Sequence, residues 1–182
     1  MNQSRQTVRL DDRTFELYLP EAQILDAIQK LAQQINADYK DRQPLLLPIL
    51  NGSFMFASDL MKNLCIDCTI SFIKASSYSG TQSSGQVTEL IGLQESIAGR
   101  DVLVIEDIVD TGHTLHRVLP SLRQQGPSSL KVVTLLHKPD AAQVNVVPDY
   151  VALKIPNDFI VGFGLDYNGL GRNLRDIYKV IS

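Results

Sequence analysis

Apolar residues recur at Leu25, Ile28, Leu31, Ala32 and Ile35 among polar neighbours. That spacing puts them on one face of a helix over 21–36. LLLPIL (45–50) is apolar throughout, stops at Asn51-Gly52, and reads as a short buried strand. FMFASDLMKNL (54–64) returns to helical spacing through Ala57, Leu60, Met61 and Leu64. Strand-like stretches follow at 70–75 and 87–93, with the polar, Gly/Ser-rich SSYSGTQSSG (76–85) between them. DVLVIED (101–107) is a continuous apolar strand, the kind covered on both faces. The helix predicted over 113–125 ends at Gly126-Pro127, and further strands are predicted at 130–138, 149–155 and 159–163. Strands alternating with helices imply the α/β class, with a central, mostly parallel sheet flanked by helices.

Composition narrows the reading. A chain of 182 residues is expected to form one domain over 1–182. Apolar residues make up 44% and charged residues 20%, as in an ordinary soluble globular protein. A net charge of −3 argues against a nucleic-acid partner, whose usual footprint is basic. No apolar run is long enough for a bilayer, and the opening residues lack a secretory apolar segment, so no membrane association and a cytoplasmic location are expected. Cys65 and Cys68 form a C-x-x-C. A zinc site needs further ligands, and a redox pair normally opens a helix. Here the pair follows a helix and leads into a strand, so a structural corner is the expectation.

The chemistry gathers in IEDIVDTGHTL (105–115). In parallel sheets ligands sit at the carboxyl ends of strands, and this stretch occupies such an end. The first N–H groups of the following helix have no internal partner and lie at its positive end. Gly112 lets the backbone curl close to a ligand, and Thr111 and Thr114 add hydroxyls. Together they suit an anion, most naturally a phosphate monoester. The same residues also suit a plain helix N-cap. Glu106 and Asp107 close a buried strand, where carboxylates are costly unless a cation or hydroxyls meet them. Asp110 stands beside the anion cradle and would repel a phosphate unless metal or hydroxyls intervene. The set therefore calls for a phosphorylated sugar with magnesium nearby. No G-x-x-x-x-G-K-[ST] occurs, and Gly162-Phe163-Gly164 lacks the third glycine of a dinucleotide fingerprint.

VLVIEDIVDTGHTL resembles the phosphoribosyl pyrophosphate (PRPP) motif of the type I phosphoribosyltransferases, most of all their hypoxanthine-guanine branch. ILNGSFMFASDL (49–60), SSYSGTQSSG (76–85), LLHKP (135–139), IPNDFIVGFGLDYNGLGRN (156–173) and DIYKVIS (176–182) resemble the same family in the same order. The resemblance implies that family's fold, with a small hood formed by N- and C-terminal segments. It implies transfer of ribose 5-phosphate from PRPP to N9 of a 6-oxopurine.

The family pattern also distributes roles. Asp110 would be the acid/base at purine N7. Asp110, Thr111, Gly112, His113 and Thr114 would cradle the 5'-phosphate, and Glu106 and Asp107 would hold the ribose hydroxyls. Magnesium would sit near Glu106 and Asp107, with Asp166 holding a second ion. Asn51, Gly52 and Arg172 would contact pyrophosphate, with a cis peptide expected between Leu50 and Asn51. Lys138 would face the exocyclic oxygen, Phe159 would stack on the base, and Ile160 would offer backbone groups. Taken alone, Lys138 reads as a solvated lysine at a strand end and Phe159 as a core aromatic. Ser77 and Tyr78 would belong to a lid. A homodimer or homotetramer is expected. His113 and Asp158 stand where many relatives carry Lys, and Asp158 leaves the preference among hypoxanthine, guanine and xanthine open. A regulator on the same fold and a related enzyme preferring xanthine are the rival readings.

Overall fold

The computed structural model describes residues 6–77, 88–93 and 95–182. Its centre is a five-stranded sheet of β3 (Leu45–Pro48), β4 (Thr69–Ile70), β7 (Asp101–Val109), β8 (Ser129–His137) and β9 (Tyr150–Lys154). The order is β4-β3-β7-β8-β9 and every pairing is parallel, so the sheet is wholly rather than mostly parallel. Helices α1 (Glu21–Asp38) and α2 (Phe54–Lys62) pack on one face, and α3 (His113–Gln124) on the other.

Strand alternation explains the two layers. Leu46, Leu103 and Ile105 join the core with Ile28, Ile35 and Phe56. Leu45, Leu47, Val102 and Val104 join the other core with Leu115, Val118 and Leu122. This is why β7 is apolar at consecutive positions: both of its faces are covered.

A second sheet, antiparallel, has the order β1-β2-β11-β10, from β1 (Thr7–Leu10), β2 (Arg13–Leu19), β10 (Ile160–Val161) and β11 (Ile177–Val180). It is the hood built from both ends of the chain. Phe15, Val161 and Tyr178 are buried in its own small core. The strands expected at 70–75 and 87–93 are differently cut. β4 ends at Ile70, whereas β5 (Lys74–Ser77) and β6 (Thr88–Ile91) form a separate antiparallel pair. Most of SSYSGTQSSG, Tyr78 included, lies outside the described residues. Cys65 and Cys68 fall in the turn between α2 and β4, the expected corner.

Candidate functional site

Parallel strands end on the same side, and four of them deliver the predicted residues there. Asn51 and Gly52 follow β3, Asp110–Thr114 follow β7, Lys138 follows β8, and Phe159 follows β9. In chain order the sheet grows from β3 outward to β4 and then from β7 the other way. The gap above β3 and β7 is therefore its switch point. A cleft of about 270 Å³ opens there, lined by 49–52 and 106–115.

The β7–α3 turn forms the floor. Gly112 has φ +84° and precedes the helix, and no side chain caps that start. The N-cap alternative thus lacks its side-chain bond, and the first-turn N–H groups keep their capacity for an anion. A Cβ on Gly112 would stand 2.9 Å from Val144 Cγ2, so the following loop is built against this glycine. Gln143 ties the same loop down. Its N–H donates to the Thr111 carbonyl at 3.1 Å, and its amide oxygen accepts from His113 Nε2 at 3.0 Å.

The acidic pair lies within β7, two residues before the strand ends, rather than at its last position. Glu106 is buried, and burial pushes its carboxyl well above the usual range, with the charge of Asp107 adding to the shift. Asp107 keeps one edge toward the cleft. Burial pushes it up to about 6, against the Ile108 N–H at 2.9 Å and the charge of Arg172, which favour the ionised form. The charge of Asp166 raises it further. Asp107, Asp166 and Arg172 thus share one neighbourhood, although 59 residues separate Asp107 from Asp166. Arg172 holds Asp166 at 2.5 Å and donates to the Gly164 carbonyl at 2.7 Å. The peptide bond between Leu50 and Asn51 is cis, as expected.

Lys138 is not a solvated lysine. It is 5% exposed, and its Nζ donates to Asp110 Oδ2 at 2.9 Å. Phe159 is not a core aromatic either, being 42% exposed. Its ring meets Tyr167 edge-on at 5.8 Å. Ile160, next to it, is buried in β10. Ser77 ends β5. Asp158 lies 3.9 Å from Lys179 on β11.

Three neighbours of the site escaped the sequence reading: Gln143, Gly164 and Tyr167. Tyr167 and Gly164 lie in IPNDFIVGFGLDYNGLGRN, where only their neighbours carried a role. A Cβ on Gly164 would stand 2.1 Å from the Gly52 carbonyl oxygen, so two distant glycines let two loops touch. Nothing in the local pattern around Gln143 marks it.

The carboxylates suit a hard divalent cation. Glu106 and Asp107 are held where burial disfavours charge, a cost that a cation would relieve, and Asp166 adds a third oxygen donor nearby. Among the described residues no three His, Cys, Asp or Glu side chains form a ready cage. Magnesium characteristically takes one or two carboxylates and completes its shell with substrate oxygens and water.

The chain has clear relatives. The model of the phosphoribosyl transferase domain matches residues 16–168. Hypoxanthine phosphoribosyltransferase of Escherichia coli K12 is 42% identical over 171 residues, covering 92% of this chain and 96% of that one. Hypoxanthine-guanine phosphoribosyltransferase of Streptococcus pyogenes serotype M3 is 41% identical over 155 residues, covering 85% and 86%. The crystal structure of a hypoxanthine phosphoribosyltransferase from Staphylococcus aureus superposes with a TM-score of 0.84 at 40% identity, covering 91% of each chain.

Proposed function

We propose a function from one premise: this chain belongs to the phosphoribosyltransferase family. It is a purine-salvage enzyme that transfers the 5-phosphoribosyl group of PRPP to N9 of hypoxanthine and guanine. The products are IMP or GMP and pyrophosphate. The observation that carries the reading furthest is the buried Lys138 paired with Asp110 beside an uncapped helix start. It would set a base-reading cation and a proton-handling carboxylate beside a phosphate cradle.

Each role rests on chemistry the side chains possess. The N–H groups from Thr111 to Thr114 hold the 5'-phosphate at the positive end of α3, with His113 at its edge. Glu106 and Asp107 accept from the ribose hydroxyls. Asn51, Gly52 and Arg172 hold the pyrophosphate. Lys138 donates to the 6-oxo group, and a 6-amino purine would present a donor to a donor. Phe159 stacks on the base, and Ile160 offers backbone groups to its edge. During transfer the C1'–oxygen bond to pyrophosphate breaks, the C1'–N9 bond forms, and Asp110 takes the purine proton at N7. Ser77 and Tyr78 belong to a lid that excludes water. Magnesium near Glu106 and Asp107, with a second ion on Asp166, would supply positive charge for the leaving pyrophosphate. A homodimer or homotetramer in the cytoplasm is the assembly we propose. No helix among the described residues is long and apolar enough to cross a membrane.

The test is direct. Purified protein is given PRPP and magnesium with hypoxanthine, guanine, xanthine or adenine, and nucleotide formation is followed. Turnover of hypoxanthine or guanine, lost in EDTA and strongly reduced in Asp110→Asn, is expected. PRPP binding without turnover of any base would refute the enzyme.

A further inference from the structure

The turn between β1 and β2, Asp11 and Asp12, has no task in the proposed transfer, yet both of its residues and Arg13, which opens β2, reach the 159–168 region. The Tyr167 hydroxyl donates to Asp12 Oδ1 at 2.7 Å, and the Asn168 amide donates to Asp11 Oδ2 at 2.9 Å. The guanidinium carbon of Arg13 lies 5.1 Å from the centre of the Tyr167 ring and 5.7 Å from that of Phe159. Phe15, fully buried on β2, packs against the same two rings at 6.0 and 6.3 Å. An exposed phenylalanine ring is therefore held by one cation and two rings. Arg13 and Phe15 come from this hairpin, and Tyr167 is tied to it through Asp12.

We propose that Arg13 is a positioning residue for the purine subsite: its guanidinium, shared by the Tyr167 and Phe159 rings, holds the Phe159 ring ready for the incoming base. The proposal rests on Phe159 being the base platform. A partly exposed ring on a short loop can rotate, and each rotation lost on binding weakens affinity. A guanidinium lying against two aromatic rings restrains them before the ligand arrives. Its planar shape suits this task better than the point charge of lysine. The Asp12–Tyr167 bond keeps the second ring in place, so the clamp joins a hairpin near the start of the chain to a loop some 150 residues later.

The experiment compares Arg13→Ala, Arg13→Lys and Phe159→Leu with the parent. It reads the KM for hypoxanthine, the KM for PRPP, kcat and Tm. Arg13→Ala is expected to raise the hypoxanthine KM about three- to ten-fold, with the PRPP KM and kcat within about two-fold and Tm little changed. Arg13→Lys should fall between. If Phe159→Leu leaves the hypoxanthine KM unchanged, the platform reading itself fails. If Phe159→Leu raises it while Arg13→Ala leaves it unchanged or lowers it, the Arg13 proposal alone is overturned. An equal rise of both KM values would mean a loosened hood rather than a positioned ring, and would also overturn it.

Discussion

Gly52 and Asp107 share one space: a Cβ on Gly52 would stand 1.7 Å from Asp107 Oδ2. The loop after β3 and the carboxylate on β7 can approach only because residue 52 has no side chain. Gly52→Ala must push back either the loop or the carboxylate. Displacements of about 1 Å near reacting groups cost on the order of a hundred-fold in rate. We expect kcat/KM to fall by about that factor, with the circular dichroism spectrum unchanged. A variant that keeps half of the parent activity would show that the fit is not functional.

The raised Asp107 carboxyl has a consequence for stability. Its ordinary value is 3.8 and burial lifts it to about 6 in the folded chain. The folded state therefore binds this proton more tightly than the unfolded state does. The stabilisation is full below the ordinary value and is lost as pH rises through about 6. Glu106, also raised, acts in the same direction. About two pKa units set an upper bound of about 3 kcal/mol for Asp107. In EDTA, Asp107→Asn should be more stable than the parent toward urea at pH 7.5 by about 1–3 kcal/mol, with the gap closing at pH 4. Urea midpoints at the two pH values check this, and parallel pH slopes for the two proteins would refute it.

The sequence made the contiguous parts visible. β7, the turn at Gly112 and α3 lie in one stretch, so strand, cradle and helix could be read together. The hood was harder. β10 falls within the strand predicted at 159–163, but β2 pairs with β11 from the far end of the chain, a pairing that leaves no local pattern. Most role residues were found through resemblance. On local chemistry Lys138 and Phe159 looked ordinary, and only the fold shows one buried against Asp110 and the other exposed beside Tyr167. The contact of Gly52 with Asp107 depends on a crossover between β3 and β7 that no local window contains.

The Lys138–Asp110 pair couples base reading to proton handling. Lys138 is nearly buried while Asp110 is 39% exposed on its side chain, so the cation anchors the carboxylate. Lys138→Met should lower kcat/KM for hypoxanthine by about 10²–10⁴ and narrow the discrimination against adenine. Asp110→Asn should lower kcat by a similar 10²–10⁴. Because the two side chains touch, the double variant should lose less than the product of the single losses. A four-member cycle of kcat/KM values decides it. Strictly multiplicative losses would mean that the ion pair plays no part in turnover.

Asp158 tests which way the base site discriminates at the purine 2-position. A carboxylate facing the base would accept from the 2-amino group of guanine and repel the 2-oxo group of xanthine. Asp158 instead lies 3.9 Å from Lys179, which is equally far from Glu16 and 5.7 Å from the Tyr18 ring. Both partners are about one-third exposed, so the pair is loose and contributes at most about 1 kcal/mol to stability. Its geometry turns the charge toward β11. Asp158→Asn should therefore leave the ratios of kcat/KM among hypoxanthine, guanine and xanthine within about three-fold of the parent. A fall for guanine together with a rise for xanthine, each of about ten-fold, would place the carboxylate against the base and make Asp158 a specificity residue.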